Sequence, residues 1–167
     1  ITSRVQRHAG QWRHSANKMK PENFILHSGG AQGSEAEFGK LAEKMGVQEV
    51  TFTFEGHKIS RSRGVRVLTT DELLKGDVSL AYIAKLMNRK FNTGKLFKKV
   101  LQSIWHQINC SEEVFVVGKI LDDNTVKGGT GWGAEFSKLC NKPLHVFDQE
   151  QGLWFKWGGG TWKKEKQ

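Results

Sequence analysis

Apolar positions along this chain switch back and forth between two periods. FILH (24–27) is a short apolar run that closes on SGGAQGS and predicts a strand. From Ser34 the spacing lengthens: Phe38, Leu41, Ala42 and Met45 fall at i, i+3, i+4 and i+7, one helical stripe, and Gly46 supplies a C-terminal stop. EVTFTF (49–54) alternates, with Val50, Phe52 and Phe54 on one face and Thr51 and Thr53 on the other, as a strand does. Leu80, Ile83, Ala84 and Met87 return to helical spacing, as do Phe97, Val100, Leu101, Ile104 and Ile108. VFVVG (114–118) reads as a buried strand; Phe136, Leu139 and Cys140 mark a short helix; PLHVFD and LWFKW read as further strands. Trp154 and Trp157 are expected to cover a sheet edge from one face, with Phe155 on the other.

Strands alternating with helices imply βαβ units. The expected fold class is therefore α/β, a single Rossmann-like three-layer domain with a mostly parallel sheet of about five strands and helices on both faces. Residues 1–22 read as a polar N-terminal extension, with Trp12 docking on the body, and 23–162 as the domain. Residues 163–167 read as a basic tail, mobile towards its end, and GHKISRSRGVR (56–66) as a basic loop over the site mouth.

Composition narrows the partners. The 167 residues carry 26 Lys and Arg against 17 Asp and Glu, a net +9 that favours anionic partners: nucleotides, nucleic acid or phosphorylated metabolites. No apolar run approaches the roughly 20 residues of a membrane span, and the polar, basic start does not have the form of a secretory leader. Cys110 and Cys140 make neither a CxxC pair nor a zinc spacing, so reduced thiols and a cytoplasmic location are expected. His57, His106 and His145 show no metal spacing, and no metal or cofactor is expected.

Two glycine-rich stretches carry the candidate chemistry. SGGAQGSEAEF (28–38) and GGTGWGAEF (128–136) each follow a predicted buried strand, hold a Gly-Gly pair and feed a helix with an early acid. Glycine lets the backbone approach a ligand, and a helix start offers unpaired N–H groups at its positive end, a combination suited to phosphate. Neither stretch is a Walker A loop, and neither has the dinucleotide GxGxxG spacing. The expected ligand-binding residues are Ser28, Gly29, Gly30, Gly33 and Glu35 from the first loop. From the second they are Lys127, Gly128, Gly129, Thr130, Gly131, Trp132 and Gly133. Glu35 or Glu37 is suited to hold ribose hydroxyls; Trp132 is suited either to stack on a base or to serve as a core wall.

These motifs resemble the Rossmann-like SLOG superfamily, which includes the cytokinin-activating LOG phosphoribohydrolases, the DprA DNA-processing proteins and the YspA-type proteins. SGGAQGSE is similar to the YspA-like opening. GGTGWGAE matches the spacing of the LOG motif, with Gly128, Gly129, Gly131 and Glu135 in register. GGTGW, KPLHVFDQ (142–149) and LWFKW resemble uncharacterised bacterial and phage members. The LOG proline is Lys127 here, its threonine is Trp132, and its arginine has no clear match, with Lys98, Lys99 and Gln102 in that region.

The resemblance implies a nucleotide-type ligand, with Glu135 as the catalytic carboxylate beside the sugar during N-glycosidic cleavage. A first-turn acid that complements the helix dipole accounts for Glu135 equally well. Three readings follow: an N-glycosidase, a non-catalytic nucleotide sensor or sponge, and a DprA-like single-stranded DNA binder. A homodimer is the expected assembly and no membrane partner is expected.

Overall fold

The computed structural model describes residues 3–4, 20–91 and 94–166. The expected docking of Trp12, and most of the N-terminal extension, lie outside the described residues. Among the described residues eight strands and five α-helices follow in order: β1 (Ser3–Arg4), β2 (Phe24–Ser28), α1 (Ser34–Met45), β3 (Gln48–Thr53), β4 (Val65–Val67), α2 (Thr70–Leu74), α3 (Asp77–Leu86), α4 (Lys95–Asn109), β5 (Val114–Gly118), α5 (Gly129–Leu139), β6 (Leu144–Asp148), β7 (Leu153–Gly158) and β8 (Thr161–Lys164).

The chain is α/β, but its strands form two four-stranded sheets rather than one parallel sheet of five. In the first, β2, β3 and β4 run parallel and β1 lies antiparallel to β2. In the second, β5 and β6 are parallel, while β7 and β8 are antiparallel additions. The difference has a local cause. β2–α1–β3 and β5–α5–β6 return the chain to a parallel neighbour through a helix, and β3 reaches the parallel β4 through the long 54–64 loop. After β6 a tight turn forces antiparallel pairing: the buried Asp148 carboxylate accepts from the N–H groups of Glu150 and Gln151, and the Asp148 carbonyl accepts from Gly152. After β7 the Gly159-Gly160 turn does the same, so the segment expected to be a loose tail is a strand through Lys164.

The helix periods locate the elements but not always their buried faces. On α1 the buried residues are Ala36, Gly39 and Ala42, whereas Leu41 and Met45 of the expected stripe are exposed. The reason is close packing: Arg61 reaches across Gly39, donating to its carbonyl and to the buried Glu49 carboxylate. Strand β3 is covered on both faces, with Thr51, Phe52 and Thr53 all buried. The main core lies where α3, α4 and α5 meet β5 and β6, around Ile83, Leu101, Ile108, Val114, Leu144 and Val146. A second cluster joins Phe52, Phe54, Leu68 and Leu73. Helix α4 packs on β2, β3 and α5, tying the two sheets together.

Trp154 and Trp157 do not share a face. They are three residues apart, and strand alternation sends them opposite ways. Trp154 meets Phe115 and Phe147, while Trp157 meets Trp162 of β8. Among the described residues no helix is long and apolar enough to cross a membrane.

Candidate functional site

Both glycine loops open into one cavity of about 360 Å³. Its floor is Phe115, Val116 and Val117 of β5, and one wall is the segment from Gly29 to Glu35. Helix α4 contributes Val100, Ser103, Ile104 and Gln107; Gly129 and Thr130 close one end, with His57 facing in from the loop after β3. The volume lies in the range of small-molecule sites. Among the described residues β2 and β5 form no ladder with each other, and the cavity lies between the end of β2 and the β5 strand.

The two loops present opposite chemistry. In the first, the Glu35 carboxylate folds back over the glycines: Oε1 accepts from the Gly29 N–H at 3.2 Å and Oε2 from the Ala31 N–H at 2.9 Å. The buried Ser28 hydroxyl accepts from the Gly30 N–H at 3.2 Å. Three successive amides expected to cradle an anion are therefore satisfied from within. This loop instead offers a fixed carboxylate, whose remaining lone pairs accept donors. Gly33 is the N-terminal cap of α1 with φ 101°, and its carbonyl accepts from the Glu37 N–H.

The second loop keeps the donor character expected of it, over fewer residues. Gly128 takes φ 78° as the N-terminal cap of α5, with no side-chain cap. The amides of Gly129 and Thr130, first in the helix, lie beyond the reach of intrahelical acceptors and border the cavity. Lys127 is exposed and is not part of the cavity wall; its N–H donates to the Lys119 carbonyl.

The rest of that loop is structural. A Cβ on Gly131 would land on the Val126 carbonyl oxygen and beside the Arg89 guanidinium, which donates to that same carbonyl and to Thr125 Oγ1. Gly133 lets α5 approach Ile104 of α4. Trp132 is 2 % exposed, packs 6.0 Å from the Phe91 ring, and does not line the cavity. Of its two expected roles the structure places it in the core wall.

Glu135 also stands outside the cavity. It follows Thr130 by five residues, about 140° round the helix axis from it. There it pairs with Lys138 at 2.7 Å, and Lys138 Nζ lies 3.9 Å from the Trp157 ring centre and donates to the Asn124 carbonyl. The carboxylate in the cavity is Glu35.

Two arginines of the basic loop are likewise engaged elsewhere. Arg61 bridges Glu49 and Glu43, each at 2.8 Å, and the hydrogen bonds it donates to these carboxylates raise its pKa. Arg66 pairs with Glu72. Of the residues in the arginine position of the resemblance, Lys98 and Gln102 both bind Asp77.

No family model, curated protein or solved structure matches this chain.

Outside the two glycine loops, three polar residues of the cavity wall were not among the expected site residues. His57 stacks on Phe54 at 4.7 Å, with Nδ1 3.1 Å from Thr53 Oγ1. Burial lowers its pKa, opposed by the Glu35 carboxylate, so the imidazole is held towards its neutral form. Ser103 and Gln107 are buried one turn apart on α4. Ser103 donates to the Val100 carbonyl, while Gln107 Oε1 is buried without a partner. The available signal was the presence of polar residues inside the apolar stripe of α4. Among the described residues no group of three or more His, Cys, Asp or Glu is placed to hold a metal ion.

Proposed function

We propose that this chain binds a phosphorylated sugar of the nucleotide class in the cavity between its two glycine loops. The observation that carries the reading is the cavity's polarity: unpaired amide donors of Gly129 and Thr130 border it on one side, and the Glu35 carboxylate on another. An anion is favoured at the first by the N–H groups and the helix dipole. At the second, only a hydrogen-bond donor is accepted, and a second anion is repelled. A sugar phosphate carries both groups on one small framework. The SLOG-like character suggested by the loop motifs belongs to this proposal and rests on those motifs.

Binding without hydrolysis is the reading favoured here. N-glycosidic cleavage through Glu135 would need that carboxylate beside the sugar, and its contacts are with Lys138 beyond the cavity wall. Titration calorimetry with a panel of nucleoside mono- and diphosphates, with chromatography of the same mixtures for free base, tests the reading. Saturable binding with no base release is expected. Absence of binding across the panel overturns the proposal, and base release that Glu135→Gln abolishes would reinstate the hydrolase.

A further inference from the structure

Helix α3 is apolar on two sides. Leu80, Ile83 and Ala84 are buried where the helix packs on α4 and α5. On the opposite side Val78, Tyr82 and Leu86 recur every four residues and are 84, 51 and 57 % exposed. Leu74 stands four residues before Val78, at the end of α2, and is 50 % exposed. Lys75 and Gly76, between the two helices, keep right-handed helical backbone angles, so Leu74 extends the row. Steps of four residues advance only about 40° round a helix, which holds such a row on one face. A surface helix ordinarily turns one apolar face to the core and a polar face outward. Large apolar side chains aligned on the outer face mark a surface for association.

The charges along the row point to its occupant. The α2–α3 span starts acidic, with Asp71, Glu72 and Asp77, and ends basic, with Lys85, Arg89 and Lys90. Glu72 pairs with Arg66, Asp77 with Lys98, and Arg89 donates to the Val126 carbonyl and to Thr125 Oγ1. Asp71, Lys85 and Lys90 are exposed. Laid antiparallel on a copy of itself, the span sets its acidic start against the basic end of the other and opposes the two helix dipoles. Laid parallel, it sets like charge against like. We infer that the row seats a second copy of this chain, two α3 helices packing antiparallel across a two-fold axis at Tyr82, with Val78 against the partner's Leu86. Such a contact is self-complementary and closes as a dimer. Tyr82, midway between Val78 and Leu86, meets its own copy at the centre, where tyrosine is favoured.

Sedimentation velocity of the full chain, from micromolar to millimolar concentration, tests the inference. A monomer–dimer equilibrium is expected. Tyr82→Lys, an exposed substitution whose folding a thermal melt confirms, should raise the dissociation constant about thirtyfold. Leu41→Lys, at an exposed apolar position of α1, should leave it unchanged. Cross-linking reads the orientation. With Cys110 and Cys140 replaced by serine, Tyr82→Cys should form a disulfide with its own copy under mild oxidation, whereas Val78→Cys should not. A monomer at every concentration, a dimer that Tyr82→Lys leaves intact, or one that Leu41→Lys weakens equally, overturns the surface. A dimer lost with Tyr82→Lys but not captured by Tyr82→Cys overturns the antiparallel arrangement.

Discussion

Single carboxylates gather backbone N–H groups at two turns of this chain. Asp148 shows it most clearly. Burial opposes its charge, yet N–H groups of Ile120, Gln151 and Glu150 converge on it and hold its pKa below the ordinary value. A depressed carboxyl stabilises the fold fully above its unfolded pKa of about 3.9, and that contribution fades as pH falls through the lower folded value. Asp148→Ala should therefore cost on the order of 3 kcal/mol near neutrality. It should also flatten the loss of stability between about pH 5 and pH 2, as measured by denaturant melts across that range. Glu35 plays the same part in the first glycine loop. Glu35→Ala frees the Gly29 and Ala31 amides, and the variant should gain inorganic phosphate binding at this loop, detectable as new shifts of those two amides.

The helix termini are where the elements were most and least legible. Gly46 was recognisable as the end of α1, and it adopts the left-handed conformation there. The opening of α5 posed the harder problem, since its four glycines serve different ends. Gly128 has a positive φ, Gly129 borders the cavity, and Gly131 and Gly133 permit close packing. The sequence has no marker that separates these uses, because each depends on what lies across from the glycine in space. Gly131→Ala should destabilise by on the order of 3 kcal/mol, as overpacking against a backbone carbonyl does. Gly129, whose nearest neighbour across the gap is a Phe97 ring carbon, should tolerate alanine far better. Thermal melts of the two variants decide the point. Short elements were missed where they lack a period: α2 is five residues held by a capping box between Thr69 and Glu72, and Thr69→Ala should cost about 1 kcal/mol in the same assay.

On the scale of the whole molecule, the alternation of strands and helices was sufficient to recognise an α/β chain. It was not sufficient to divide the strands into two sheets, because pairing is decided by turn lengths and by contacts far apart in sequence. The two glycine loops, each following a strand, border one hollow. The roles within that hollow were not legible, since Glu35 and Glu135 sit in similar sequence settings. One turns back onto its own loop, and the other points to Lys138 and Trp157. A crystal structure of the chain with a nucleoside monophosphate tests that asymmetry most directly. The phosphate should lie on the Gly129 and Thr130 amides with the sugar towards Glu35. A phosphate bound instead on the Gly29–Ala31 amides, or density only outside the cavity at saturating ligand, would contradict it.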